Sequence, residues 1–442
     1  MRARLVNFWD RMTGSYWFVP SAFILFALFA SLAFPYLDRR FGGAVIEHAT
    51  WLRIVPDSAR TLLSTIAGVM ATVLSLVFSL TILTLSIAAS QFGPRLLRSF
   101  LNNHATQVAL GTFVATALYA LVVLATIRGG EDWQFVPHFS VYAGIAAAVF
   151  NLIYLIHFVQ TIADLIQAPN VVLRVARDLE DSIHRLCPAC GDEGTEKSAQ
   201  HCDSLPPCIA SVPAQQEGYV QGIDTVELTE YAKQAGGVIR LRYRPGQFLC
   251  QGMVLADFHG EGTCPDELEE AVNQCVVTGS RRTPRQDVEC ALLELVELAV
   301  RALSPGVNDP FTAMNCVDRL GAALGRIAQR DLPPSLFFDE DDGLRVVIPA
   351  ITLADFIASA FNQIRQHGRS DTAVLMRIVE ALAEVARQTR GEEDRQAVLR
   401  QVEMIERESE ESIQEPNDRD DLSERAQVVR GLLADQKGSA DG

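Results

Sequence analysis

The chain has 442 residues, a formal net charge of −16 and 49% hydrophobic residues. That length leaves room for more than one domain, and so acidic a balance argues against a nucleic-acid partner, because phosphate binding needs clustered positive charge. The charge is divided unevenly: residues 1–163 hold ten Arg, no Lys and six acids, whereas residues 164–442 hold 28 basic and 48 acidic residues.

The apolar content is concentrated in the N-terminal third. Four runs without a charged residue, 14–37, 61–90, 105–127 and 139–163, are each long enough to cross a bilayer with a hydrocarbon core of about 30 Å. Trp9, Tyr16 and Trp17 flank the start of the first run, where amphipathic rings favour the headgroup layer. This run is too long for a cleavable signal peptide and no small-x-small site follows it; Pro20 and Pro35 are expected near its ends, where a missing N–H costs least.

The second run, TLLSTIAGVMATVLSLVFSLTILTLSIAAS, would be about 45 Å long as a helix, so it must tilt or project beyond one surface. Thr61, Thr65, Gly68, Thr72, Ser75, Ser79, Ser86 and Ser90 recur at helical spacing, while Leu74, Leu76, Val77, Phe78, Leu80 and Leu83 fill the other directions. Two uses of this stripe compete. Small hydroxylated residues let helices pack closely in a membrane, and they can also line a water-filled path without the cost of buried charge. The second use requires several helices around one axis.

Gly93 and Pro94 are expected to end that helix, and Arg95, Leu96, Leu97, Arg98 and Phe100 make a short basic amphipathic turn. Its arginines suit lipid phosphates, or a coupling element that moves the second span. The fourth run contains Asn151, His157 and Gln160, yet no Asp, Glu, Lys or Arg lies well inside any run, which argues against a proton-coupled pump. Arg2, Arg4, Arg11, Arg95, Arg98, Arg174 and Arg177 fall on one side of the four spans, against Arg39, Arg40, Arg53, Arg60 and Arg128 on the other, leaning towards both termini in the cytoplasm. All nine cysteines follow the last span without a regular disulfide framework, which suits a reducing compartment.

After Pro169, VVLRVARDLEDSIHRL reads as an amphipathic helix, followed by a flexible loop rich in Gly, Pro, Ser and acids. Cys187 and Cys190 have zinc-ligand spacing, but Cys202 and Cys208 do not repeat it, so no metal is assigned and free thiols are the default. Short β runs begin at Gly218, with a helix expected from Thr225 to Gln234 and turns at Pro245-Gly246 and Gly252; no phosphate-binding loop is present. PDELEEAVNQCVV, PRQDVECALLELVELAVRAL and FTAMNCVDRLGAALGRIAQR read as helices. Before the last of these, SPGVNDP offers Asp309 as a cap, Pro310 as first helical residue and Gly306 for a positive φ, with Ser304, Asn308 and Asp309 as the alternative ligand set. SLFFDEDDGLRVVIPAI is a hairpin turning at DDG, and DEDD at 339–342 lacks the spacing of a calcium loop. Further helices are expected at 353–366, 371–389 and 393–412, then a polar tail with one short helix near 421–433.

Three stretches, SQFGPRLLRSF, SRRTPRQDVECALLELVELAVRAL and SPGVNDPFTA, resemble a bacterial family of predicted multi-span membrane proteins of unknown function, over roughly residues 15–400. The resemblance implies a bacterial plasma-membrane setting and directs attention to Arg95, Arg98, Arg281, Arg282, Ser304, Asn308 and Asp309; the cysteine-rich loop is not part of that family's pattern.

The expected fold is a four-span α-helical membrane domain at 1–168, an amphipathic helix and flexible loop at 169–216, a small α+β unit at 217–262, a helical cytosolic domain at 263–415 with a hairpin near 336–349, and a polar tail at 416–442. The expected function is an oligomeric passive channel with the second span lining the axis and the cytosolic part gating or sensing, in contact with the lipid bilayer. The alternative is a membrane-anchored scaffold or stress sensor that binds a protein through its acidic soluble region. No nucleophile motif, Walker loop, metal triad or paired-carboxylate pattern supports an enzyme, and no cofactor or catalytic residue is expected.

Overall fold

The computed structural model describes residues 17–48, 54–93, 104–127, 135–189, 205–261 and 267–440. The chain divides into two compact units, Met1–Asn170 and Val171–Gly442.

The first unit holds α1 (Phe18–His48), α2 (Pro56–Phe92), α3 (His104–Thr126) and α4 (His138–Ile166). All four are long and apolar enough to cross a membrane. Helix α3 is the central one and packs on each of the other three, so its apolar surface is mostly covered while theirs is mostly open. Close approach depends on glycine: a Cβ at Gly111 would come within 2.8 Å of the Phe23 ring, and one at Gly144 would press on Leu63. Ala59, Leu63 and Ala67 of α2 meet Ala115, Tyr119 and Ala120 of α3 in one cluster. Asp38 of α1 caps α4 from outside, accepting from the backbone N–H groups of Phe139 and Ser140 at 3.0 Å and from the Ser140 hydroxyl at 2.7 Å. Pro35 lies near the end of the apolar span but inside α1, because the helix runs on past the span to His48.

The second unit opens with α5 (Ala168–Leu186), of which Val171, Val172, Val175, Leu179 and Ile183 are buried at helical spacing. Then come β1 (Cys208–Pro213), β2 (Gly218–Ile223), α6 (Thr225–Gln234), β3 (Gly237–Leu241), β4 (Phe248–Leu249), β5 (Val254–Gly260), α7 (Leu268–Cys275) and β6 (Val276–Gly279). The remaining elements are α8 (Val288–Ala302), α9 (Pro310–Ala328), β7 (Leu336–Phe338), β8 (Leu344–Val347), α10 (Leu353–His367), α11 (Thr372–Ala386), α12 (Glu392–Ser412) and α13 (Pro416–Ala440).

The strands form two sheets, ordered β1-β5-β3-β8-β7 and β4-β2-β6. Within the larger, β3 and β8 are parallel, with Ile239 opposite Val346, and the other pairs are antiparallel. The hairpin near 336–349 therefore completes a sheet begun a hundred residues earlier. Strand β1 falls in a segment that composition marks as loop, because CIASVP carries enough apolar residues to pair with β5 and bury Val212. Val276 and Val277 leave α7 for β6: two β-branched residues beside β2 gain more from a ladder than from another helical turn. Around these sheets Val220, Ile239, Leu241, Leu255, Phe258 and Val272 make one buried core.

The helical layers begin with caps. Asp287, Asp309 and Asp371 each accept from the N–H three residues on, and Thr352 with Asp355 forms a capping box. Helices α9 and α11 cross at Gly321, where a Cβ would lie 2.8 Å from that of Ala381. The short helix expected near 421–433 in the polar tail is present and longer, as the 25-residue α13, with Leu422, Ala426, Val429 and Leu433 buried one turn apart against α11 and α12.

Candidate functional site

All eight stripe positions of α2, Thr61, Thr65, Gly68, Thr72, Ser75, Ser79, Ser86 and Ser90, are exposed. The buried face of the helix is a different one, carried by Ala59, Leu63, Ala67, Met70 and Val77. The eight positions therefore lie off the face of α2 that packs against α3. Its hydroxyls bond back to their own backbone: Thr65 to Thr61 O at 2.7 Å, Thr72 to Gly68 O at 3.0 Å and Ser79 to Ser75 O at 2.9 Å. A Cβ added at Gly68 would meet nothing within 4 Å.

The polar groups of the first unit that are sealed from solvent lie elsewhere. Asn151 donates to the Thr116 hydroxyl at 2.8 Å and to Thr112 O at 3.3 Å, and Tyr119 donates to Ser140 O at 2.9 Å. These bonds tie α4 to α3 in the way expected where no water competes.

In the second unit, a cluster of charge surrounds the start of α8. Arg282 grips Asp287 through Nε at 2.8 Å and Nη2 at 3.0 Å, and the same Nη2 donates to Glu289 at 2.7 Å. Ser359 of α10 donates to the other Glu289 oxygen at 2.5 Å. Asp287 also accepts from Cys290 N at 3.1 Å, so one carboxylate caps the helix and holds the guanidinium. Burial pushes Glu289 up, but the bonds from Ser359 and Arg282 outweigh it and leave its carboxyl below the usual range. Burial likewise acts against charge on Arg282, and the two acids more than reverse this. The turn at Gly246, φ 94°, lies directly on the pair; any side chain there would strike the Asp287 carboxylate and the Arg282 guanidinium.

Beside this cluster is a pocket of about 230 Å³. Its walls are apolar, with Leu186 from the end of α5, Phe337 and Ile348 from the hairpin, and Ile351 and Phe356 at the start of α10. Pro333, Pro334 and Pro349 stiffen the rim, while Arg244 and Asp287 supply its charged groups.

The SPGVNDP turn closes on itself. Ser304 donates to Arg301 O at 2.6 Å, and Asp309 caps α9 through Thr312 N at 3.1 Å and also accepts from the Thr312 hydroxyl at 2.5 Å. Asn308, φ 49°, and not Gly306, takes the left-handed conformation, which asparagine tolerates better than other side-chain-bearing residues. Arg281 is exposed and its carbonyl accepts from Gln221 at 2.8 Å, so of the paired arginines Arg282 alone enters the cluster. Cys187 is buried, with its thiol pushed up to about 11 by burial, and Cys208 is exposed on β1. Cys190, Cys202, Arg95 and Arg98 lie outside the described residues.

Sequence reading singles out Arg282 but misses Arg244, Asp287, Glu289 and Ser359. A local signal exists for two of them: Arg282, Asp287 and Glu289 fall within eight residues at a helix start, where an acid is wanted as cap. Nothing local announces Arg244 or Ser359, which arrive from a sheet turn and a later helix.

Four apolar helices leading into a mostly helical region with two small sheets define a multi-span α-helical membrane protein. The chain belongs to the DUF2254 family of predicted membrane proteins, whose sequence profile matches residues 13–384. It is similar to uncharacterized protein Rv1290c of Mycobacterium tuberculosis (strain H37Rv), 28% identical over 415 residues that cover 93% of this chain and 79% of the relative. Uncharacterized protein Mb1321c of Mycobacterium bovis matches with the same identity and coverage. No solved structure matches.

Proposed function

We propose that the chain is the subunit of an oligomeric passive channel of the bacterial plasma membrane, with both termini cytoplasmic, α2 facing a shared axis and the soluble region gating or sensing. The observation that carries this reading is the exposure of all eight small or hydroxylated positions along the outer face of α2. An exposed face of a membrane-crossing helix must meet lipid, another copy or water, and a run of Thr, Ser and Gly is a poor match to lipid alone. The 37-residue helix, about 55 Å long, is also longer than a bilayer core demands, which suits a lining that extends past one surface.

The test is flux of potassium, chloride and glycerol through liposomes holding the full chain. Flux is expected, and Thr72→Leu with Ser79→Leu is expected to reduce it severalfold without lowering the melting temperature, since both sites are exposed. Absence of flux for all three probes, with the double variant behaving as wild type in cells, would end this reading.

A second reading, a membrane-anchored scaffold or stress sensor, is favoured by Phe248 and Val277. They are about half exposed on β4 and β6, either side of β2, and Phe248 makes an edge contact with Tyr219. Loss of a co-purifying protein on Phe248→Ser with Val277→Ser would support it.

A further inference from the structure

One charged wall of the pocket beside the Arg282 cluster is Arg244. The Arg244 side chain is only 18% exposed, and the one ion pair it makes among the described residues is with Glu289, at 3.8 Å, beyond hydrogen-bond length. Among the described residues its guanidinium donates no hydrogen bond. Glu289 cannot readily satisfy it, because the facing Oε2 already takes the 2.7 Å bond from Arg282 and the other oxygen takes Ser359. A guanidinium has five donors, and in this partly exposed one they are open to an acceptor that enters the pocket.

The other charged wall is in the opposite condition. Both Asp287 oxygens are occupied, one by Arg282 Nε and the other by Arg282 Nη2 and Cys290 N, and the Gln286 side-chain amide accepts from Ile223 N and donates to Ile223 O. The pocket therefore offers donors and asks for acceptors. Asp287 does not repel an anion as a free carboxylate would, since Arg282 grips it with two bonds.

We propose that this pocket binds a small organic carboxylate with an apolar body, its carboxylate on Arg244 and its body against Leu186, Phe337, Ile348, Ile351 and Phe356. A charged acceptor is favoured over a neutral carbonyl because charge-assisted bonds are roughly twice as strong. About 230 Å³ admits a ring or short chain, not a lipid or a nucleotide. Leu186 is the last residue of α5, the helix that follows the fourth span after Gln167, and Arg185 beside it donates to Pro284 O at 2.9 Å. Occupancy would thus be felt at the helix that connects the spans to the soluble region. The inference rests on the sensing role proposed above for its purpose, but the binding itself does not.

The test uses the full chain in lipid nanodiscs, titrated calorimetrically with 3-phenylpropionate and with its neutral amide, against empty nanodiscs. Saturable binding of the carboxylate is expected, weaker by at least about tenfold for the amide and for Arg244→Gln. Ile351→Phe, which fills the pocket without touching charge, is expected to weaken binding as well, with unchanged melting temperature showing that both variants fold. No saturable binding to wild type, or equal binding of acid and amide, or wild-type affinity in folded Arg244→Gln, would overturn the proposal. Binding without flux in liposomes would remove the channel and keep the pocket; flux without binding would do the reverse.

Discussion

At the scale of single residues, Glu289 shows how a buried charge is kept. Desolvation favours the neutral acid, and the Ser359 hydroxyl and two arginines favour the anion by more, so its folded pKa lies below the ordinary value of 4.5. A carboxyl whose pKa falls on folding adds stability that is fully present above its unfolded pKa and is lost as pH drops through the folded one. The chain should therefore lose stability below about pH 4.5 in part through this residue, whereas Glu289→Gln starts less stable and has a shallower acid limb. Melting temperatures between pH 6 and pH 3 check this; parallel curves for the two proteins would show that Glu289 contributes nothing to the acid response. Asp287 is buried more deeply, and there burial raises the carboxyl in spite of Arg282. The two acids of one cluster thus respond to pH in opposite senses.

At the scale of elements, α13 is the clearest departure from composition. PNDRDDLSERAQVVRGLLADQ is polar on average, but Leu422, Ala426, Val429 and Leu433 lie on one side, and ion pairs from Arg425 to Glu380 and from Arg430 to Glu406 bracket that side. Burying two leucines, a valine and an alanine is worth on the order of 5 kcal/mol, an upper figure because unfolded chains already hide some surface. Removing 416–442 should lower the melting temperature by about 10 °C, where a solvated tail would leave it unchanged; calorimetry on the truncated full-span chain decides between them. The four spans, the 336–349 hairpin and the cap at Asp309 are legible in sequence because each depends on neighbours a few residues away. Strand β1, the parallel β3–β8 pair and the approach of Arg244 and Ser359 to Glu289 are not, because their partners stand from about 40 to about 100 residues off. Composition alone cannot say which face of α2 is covered, either: its small-residue stripe and its buried stripe of Ala59, Leu63 and Ala67 share the same helical spacing.

At the scale of the whole molecule, the division at Asn170 separates two kinds of stability. The N-terminal unit exposes Phe26, Phe29, Phe78, Phe150 and Ile156 over its flanks, surface that water would not tolerate and lipid does. The unit from Val171 onward has its own sheet core around Ile239, Phe258 and Val346 and its own helical layers, and residues 164–442 carry a large acidic excess that favours solubility. A fragment of residues 171–442 should therefore be obtained without detergent and melt in one cooperative transition, observed by circular dichroism together with calorimetry. Its α5 is the element at risk: Val171, Val175, Leu179 and Ile183 must find their buried positions without the span that precedes them. A fragment starting after Leu186 would lose that helix and one wall of the Arg244 pocket, and should aggregate or melt at lower temperature. If instead the longer fragment aggregates while the full chain in nanodiscs melts cooperatively, the C-terminal unit depends on the membrane helices for its folding.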